Sequence, residues 1–246
     1  MALQVAPLPG LDDFVARGDI EQKFIFCGTD KNILLDWLEV YALRDPQFYR
    51  SPVLSLYYDT PALDFYHEAR NGDYLKTKVR LRWYQDEFVS ADQPIDCFFE
   101  IKRKCGALRH KQRRSLTLTA AQLSGDLFSA APVADLPSAL GGLGGLNRGI
   151  LVPILVVDYQ RCRFIDAASG ARIALDTAIG CRRVNADYLC GAPPIESTFG
   201  VLEIKARAAE LPALFWPLRR HLRRQSFSKY ALCCQRLLDP LGRRMR

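Results

Sequence analysis

Charged and apolar residues alternate one for one along several well-separated stretches of this chain. In Leu75 to Trp83 (LKTKVRLRW), Lys76, Lys78, Arg80 and Arg82 take every second position, with Leu75, Val79, Leu81 and Trp83 between them. Side chains of a β-strand point alternately to its two faces, so the spacing predicts a strand with one cationic and one apolar face. The same register recurs in Glu21-Gln22-Lys23, Glu100-Ile101-Lys102-Arg103-Lys104, Tyr159-Gln160-Arg161-Cys162-Arg163 and Glu203-Ile204-Lys205-Ala206-Arg207. Three of these segments set a Glu two residues before a Lys. A sheet with one wet face would explain any single strand. Recurrence in distant segments, with carboxylates inside the same register, is better explained by a closed sheet whose charged face points inward. Such a barrel encloses a cationic tunnel with a few carboxylates, suited to a polyanion and a divalent metal.

Between these strands the pattern predicts helices and turns. Glu21 to Phe26 reads as a first strand, and Thr29-Asp30 offers the N-cap of an amphipathic helix reaching about Leu43, with Leu34, Trp37, Leu38 and Tyr41 as its apolar stripe. Val53 to Tyr58 is a strand stopped at Asp59-Thr60-Pro61, and a short helix carries Leu63 to Arg70. Asn71-Gly72-Asp73 turns the chain into Leu75 to Tyr84, followed by strands over Cys97 to Lys104 and Arg109 to Thr119. In the last of these, Lys111, Arg113, Ser115 and Thr117 share a register.

Composition shifts over about residues 120–150 to Ala, Leu, Ser and Gly, which predicts a helical excursion with a Gly-rich tail. That tail, Gly141-Gly142-Leu143-Gly144-Gly145, lacks the Gly-Lys-Ser/Thr ending of a phosphate loop. Ile154 to Phe164 and Arg172 to Asp176 form a hairpin around Ser169-Gly170, and Ser197 to Arg207 is the last strand. Pro212 to Arg224 and Lys229 to Leu238 are predicted helices. The chain is read as one α+β domain over residues 1–246, with its core over about residues 18–238.

The formal net charge of +7 points to an anionic partner without choosing among nucleotide, phosphate polymer, nucleic acid and membrane surface. Eight cysteines show neither a C-x-x-C pair nor zinc-type spacing to histidine, and are expected to be reduced core thiols. The first residues lack the features of a signal peptide, and no uninterrupted apolar run reaches about 18 residues, so a cytoplasmic protein is expected. His67, His110 and His221 are too dispersed to suggest histidine-based chemistry.

The order of motifs carries a resemblance. Glu21-Gln22-Lys23-Phe24, Leu56-Tyr57-Tyr58-Asp59-Thr60, Lys78-Val79-Arg80-Leu81-Arg82, Phe99-Glu100-Ile101-Lys102-Arg103-Lys104, Tyr159-Gln160-Arg161, Arg172 before Leu175-Asp176-Thr177, Val201-Leu202-Glu203-Ile204-Lys205 and Ser226-Phe227-Ser228-Lys229-Tyr230 resemble those of the VTC domain. This is the polyphosphate polymerase module of the vacuolar transporter chaperone family, within the CYTH-like triphosphate tunnel metalloenzyme superfamily. The resemblance implies a closed antiparallel β-barrel of about eight strands flanked by helices. It also implies transfer of the terminal phosphoryl group of ATP to a growing polyphosphate chain, with Mn²⁺ or Mg²⁺ as cofactor.

Carried over residue by residue, the resemblance makes Lys23, Arg80, Arg82, Lys102, Arg161 and Arg172 phosphate ligands of the tunnel wall. Lys78, Lys104, Lys111, Arg113 and Lys205 fall in the same registers and extend it, while Tyr159, Ser228 and Lys229 contact the far end of the phosphate chain. Glu203 matches the metal-binding glutamate, and Glu21 and Glu100 occupy comparable positions on their own strands. A single Glu precedes Lys23, where the hydrolase branch has a paired Glu-x-Glu, which argues against a thiamine-triphosphatase or adenylyl-cyclase-like role. Three other readings stay open: a tunnel triphosphatase, a non-catalytic polyphosphate or inositol-phosphate binding module, and a nucleic-acid binder. The strict alternation of basic with apolar residues suits an interior lining better than an open groove.

Overall fold

The computed structural model describes residues 20–85, 87–106, 108–140, 149–190 and 194–239. In chain order the strands and α-helices are β1 (Ile20–Cys27), α1 (Lys31–Tyr41), β2 (Leu43–Arg44), β3 (Arg50–Asp59), α2 (Asp64–Asn71), β4 (Leu75–Trp83), β5 (Pro94–Cys105), β6 (Leu108–Thr119), α3 (Ala120–Ser124), α4 (Leu136–Ala139), β7 (Val152–Ile165), β8 (Arg172–Val184), β9 (Ile195–Glu196), β10 (Phe199–Ala206), β11 (Arg223–Arg224) and α5 (Lys229–Leu238).

All these strands belong to one antiparallel sheet, ordered β11-β1-β10-β8-β7-β3-β4-β5-β6, with β2 added to β7 and β9 to β8. This corrects the expected closure of a barrel of about eight strands, while the antiparallel sheet flanked by helices is as expected. Eleven strands are present among the described residues, and β11 and β6 remain edges without backbone pairing to each other. The sheet nevertheless curls far enough for side chains to cross the gap, since Arg109 Nη1 on β6 lies 3.0 Å from Glu21 Oε2 on β1.

Alternation along each strand sorts the side chains as the sequence predicts. On the convex face of β3 to β6, Leu56, Val79, Leu81, Trp83, Phe99 and Ile101 form a core roofed by α2, α3 and the segment up to Leu140. On the convex face of β1, β10, β8 and β7, Phe24, Phe26, Ile173, Leu202 and Ile204 pack against Leu34 and Leu38 of α1. A third core fills one end of the concave face, where Tyr230, Cys233, Cys234 and Leu237 of α5 meet Tyr57, Val157, Tyr159, Ile179 and Val201. The rest of that concave face is left to the charged residues.

Local chemistry explains the helix ends. Ser228 caps α5 by accepting from the Ala231 N–H, and Tyr230, Cys233, Cys234 and Leu237 recur at helical spacing to give its buried stripe. Asp59, at the end of β3, accepts from the N–H groups of Phe65 and Tyr66 in the first turn of α2. Thr119 and Gln122 form a reciprocal capping box on α3.

Two other predictions are corrected. Residues 212–224 form no amphipathic helix; they contain two short 3-10 turns, Ala213–Phe215 and Arg219–His221, followed by β11. Pro217, in the interior of the predicted helix, lacks the N–H that would bond to the Ala213 carbonyl and limits helix formation there, and Phe215 and Leu218 still reach the core. The excursion after Thr119 holds only the short helices α3 and α4, and its Gly-rich tail at 141–148 lies outside the described residues. All eight cysteines are free thiols, five buried and three (Cys27, Cys105 and Cys190) exposed. No helix among the described residues is long and apolar enough to cross a membrane.

Candidate functional site

Cross-strand register assembles the site in rows on the concave face. Tyr57, Arg80, Glu100 and Arg113 stand side by side on β3, β4, β5 and β6. One step along the strands, Lys78, Lys102 and Lys111 form the next row, and beyond them Lys76, Lys104 and Arg109. On the other half of the sheet Arg161 is opposite Asp176, and Lys23 is opposite Glu203. Glu21 faces Lys205, which in turn faces Arg172.

The first row is held around a buried carboxylate. Glu100, 3% exposed, accepts from Arg80 Nε at 2.8 Å and Nη2 at 2.5 Å on one oxygen. Its other oxygen lies 2.8 Å from Lys111 Nζ and 3.9 Å from Arg113 Nε. Burial alone would raise its pKa, but Arg80, Lys102 and Arg82 outweigh it and hold the carboxyl far below the usual range. Arg80 also donates to the Tyr57 hydroxyl, and Arg82 donates to Ser55 Oγ and Tyr159 Oη, both at 3.1 Å. Both guanidinium groups are thus fixed within a wall where each residue is 8% exposed. The planar fork of Arg suits this, because several donors can be anchored while others face the cavity.

A second carboxylate organises the opposite wall. Asp176, fully buried, accepts from Arg161 Nε and Nη2 at 2.6 and 2.7 Å, and Lys229 Nζ lies 2.7 Å from its Oδ2. Lys229 also stands over the Tyr159 ring, 4.7 Å from its centroid. Burial would raise the Tyr159 pKa, but the Arg161, Arg82 and Lys229 cations lower it below the ordinary phenol value.

Glu21 and Glu203 form a checkerboard with Lys23 and Lys205. Lys23 lies 3.0 Å from Glu21, Lys205 lies 3.2 Å from Glu203, and the two carboxylates repel one another. Although burial and this repulsion oppose ionisation, the surrounding lysines and Arg161 keep both carboxyl groups below their usual pKa. Lys78 and Lys102 stand apart. Both are half-buried, they are directly opposite one another, and neither has a hydrogen bond or ion pair among the described residues. Burial, with repulsion from Lys23, Arg80 and Lys229, lowers the Lys78 pKa to about 7. Repulsion from Arg80, with burial, lowers that of Lys102 strongly.

The structure therefore brings together Lys23, Lys78, Arg80, Arg82, Glu100, Lys102, Lys111, Arg113, Tyr159, Arg161, Glu203 and Lys229. Glu21 and Lys205 stand at its open side, and Lys104 and Arg172 are exposed at strand ends. Ser228 serves as the α5 cap. Tyr57, Ser55, Arg109 and Asp176 line the same face but are not among the residues singled out from the sequence; the two-residue register of their strands is the signal that finds them. Among the described residues, no three His, Cys, Asp or Glu side chains converge as a ready-made metal cage. Glu21 and Glu203, both ionised and adjacent, are the donor set that fits a hard cation, with phosphate oxygens completing its shell. Glu100 stands apart from them on β5, 3% exposed and with one oxygen taken by two hydrogen bonds from Arg80.

Fold and site together define a class, an antiparallel sheet that curls a Lys- and Arg-rich face around a few ionised carboxylates. The chain belongs to the VTC domain family, whose model matches residues 29–135 and 145–238. No curated protein matches it. Among solved structures it is similar to a candidate adenylate cyclase from Vibrio parahaemolyticus, at 14% identity over 88% of this chain and 99% of that one, with a TM-score of 0.46. A candidate adenylate cyclase from Bacillus halodurans is also similar, at 14% identity over 77% and 81% of the two chains, with a TM-score of 0.44.

Proposed function

We propose that this protein is a metal-dependent polyphosphate polymerase that transfers the terminal phosphoryl group of ATP to a growing polyphosphate chain. The observation that carries the reading is the pair Lys78 and Lys102, two half-buried amines face to face without a hydrogen bond or ion pair. Burial and the surrounding cations, Arg80 above all for Lys102, raise the cost of ionising both amines, and a bound polyanion offsets that cost. Membership of the VTC domain family supports phosphate chains as the anion.

In this reading the γ-phosphorus of ATP is attacked by a terminal oxygen of polyphosphate, the bond to the β-phosphate bridging oxygen breaks, and ADP leaves with that oxygen. Phosphoryl transfer is accelerated mainly by positioning and by neutralising charge on the phosphate oxygens. Arg80 and Arg82, fixed by Glu100, Tyr57, Ser55 and Tyr159, are preorganised for that task, and Lys102 and Lys78 add compact point charges. Arg161 and Lys229 contribute from the opposite wall, and Lys23, Lys111, Arg113 and Lys205 hold flanking phosphates. Lys104 and Arg172 extend the wall towards solvent. A Mn²⁺ or Mg²⁺ ion held by Glu203 and Glu21 would supply further neutralisation of the phosphate oxygens.

A second reading, a polyanion-binding module without turnover, draws on the ion pairs that already engage Glu21 and Glu203. Incubation with γ-labelled ATP and Mn²⁺ or Mg²⁺, with K102A and E203A alongside, separates the two. Long labelled chains, lost in both variants, are the expected result. Free phosphate alone would indicate a triphosphatase, and tight polyphosphate binding without turnover would favour the binding module.

A further inference from the structure

Residues Arg219 to Arg224 place four arginines within six positions, on a 3-10 turn and on the edge strand β11. All four are exposed, and none has a carboxylate partner among the described residues. The nearby carboxylate, Asp30, is engaged by His221 at 3.2 Å. This contrasts with the concave face, where most cations are tied to Glu21, Glu100, Asp176 or Glu203.

The cluster is continuous with the site. Arg223 pairs with Ile25 on β1, so it lies on the face that carries Lys23, whereas Arg224 pairs with Phe24 and lies on the other face. The next residue, Gln225, donates its N–H to the Lys23 carbonyl at 3.0 Å. Lys23 Nζ in turn lies 3.5 Å from the Phe227 carbonyl, and Lys229 follows two residues later against Asp176. One short stretch of chain thus links the deepest cation of α5 to four uncompensated guanidinium groups at the sheet edge.

We infer that Arg219, Arg220, Arg223 and Arg224 form a docking track for the part of a phosphate chain that extends beyond the site. This rests on the polyphosphate reading given above. Arginine binds phosphate oxygens through a planar fork of donors, and an exposed row of such forks accepts a flexible polyanion without a shaped pocket. Placement on both faces of an edge strand that borders the site suits a linear chain better than a flat membrane surface.

The test compares tripolyphosphate with long-chain polyphosphate as ligands of the full chain, by calorimetric titration at several salt concentrations. The R219Q/R220Q/R223Q/R224Q variant is expected to keep its thermal midpoint and its tripolyphosphate affinity. It should lose about tenfold in affinity for the long chain and show a shallower salt dependence, since fewer counterions are displaced. Unchanged long-chain binding, or equal losses for both ligands, would overturn the inference while leaving the polyphosphate reading standing. A wild-type protein that binds neither ligand would overturn that reading, and the track with it. Loss of binding to phosphatidylserine vesicles with long-chain affinity intact would assign the arginines to a membrane surface instead.

Discussion

Lys229, the first residue of α5, places its ammonium 2.7 Å from Asp176 Oδ2 in the middle of β8, and Arg161 fills the rest of that carboxylate. The helix that plugs one end of the concave face is therefore fastened to the sheet by a buried three-membered charge cluster. Removing the shared anion strands two cations, whereas removing Lys229 leaves Asp176 paired with Arg161. D176N is expected to lose about 3–5 kcal/mol of stability and K229M markedly less, measured by urea unfolding. Equal losses would mean that the cluster is not organised around the carboxylate.

Glu100 should behave as an organiser of the wall. In E100Q, Arg80 and Lys111 lose their counterion, so the protein should be destabilised by about 3–5 kcal/mol whether or not metal is present. E203Q should instead abolish metal-dependent turnover while leaving tripolyphosphate affinity equal or higher, because a negative charge is removed from a cationic face. Turnover in E203Q at the wild-type metal optimum would remove Glu203 from the metal site.

Lys78 makes the site sensitive to pH. Its folded pKa of about 7 lies below the ordinary lysine value of 10.5, so between these values the unfolded chain holds the extra proton. Its contribution to stability therefore rises with pH across that window, and its penalty is complete below about pH 7. Anion binding has the opposite sign, since a bound phosphate favours the charged amine. Triphosphate affinity should fall as pH rises above about 7, with proton uptake on binding detectable by calorimetry in buffers of different ionisation enthalpy. K78M should reduce that uptake, and an unchanged value would assign it elsewhere.

Asp59 couples the site to α2 and α5. It accepts from the N–H groups of Thr60, Phe65 and Tyr66 and from the Tyr230 hydroxyl at 2.7 Å, and the Tyr230 ring stacks on Tyr57. Y230F should cost about 1 kcal/mol, the net worth of one hydrogen bond. D59A should cost several times more, because four buried donors are left without their acceptor. Thermal unfolding of the two variants checks the order.

The alternation of Lys78, Arg80 and Arg82 with Val79, Leu81 and Trp83 was enough to assign β4 and its two faces, because a strand has a period of two wherever it lies in a fold. The same logic identified β1, β5, β7 and β10, and the helix predicted over Lys229 to Leu238 coincides with α5, while the capping role of Ser228 emerged only from the structure. It could not show that β6 and β11 stop short of pairing, since closure depends on accumulated twist and on edge positions that no local pattern encodes. It also misread residues 212–224, where Pro217 breaks an otherwise helical apolar spacing.

Residue types and register by themselves determined that a cationic face with carboxylates would be gathered on one side of a sheet. Only the tertiary structure decided which partners those charges take. Glu100 binds Arg80 and Lys111, Asp176 binds Arg161 and Lys229, and Lys78 and Lys102 are left facing each other. Ion pairing is settled by distances of a few ångströms between strands far apart in sequence, and Coulomb energies at that range change steeply with position and burial.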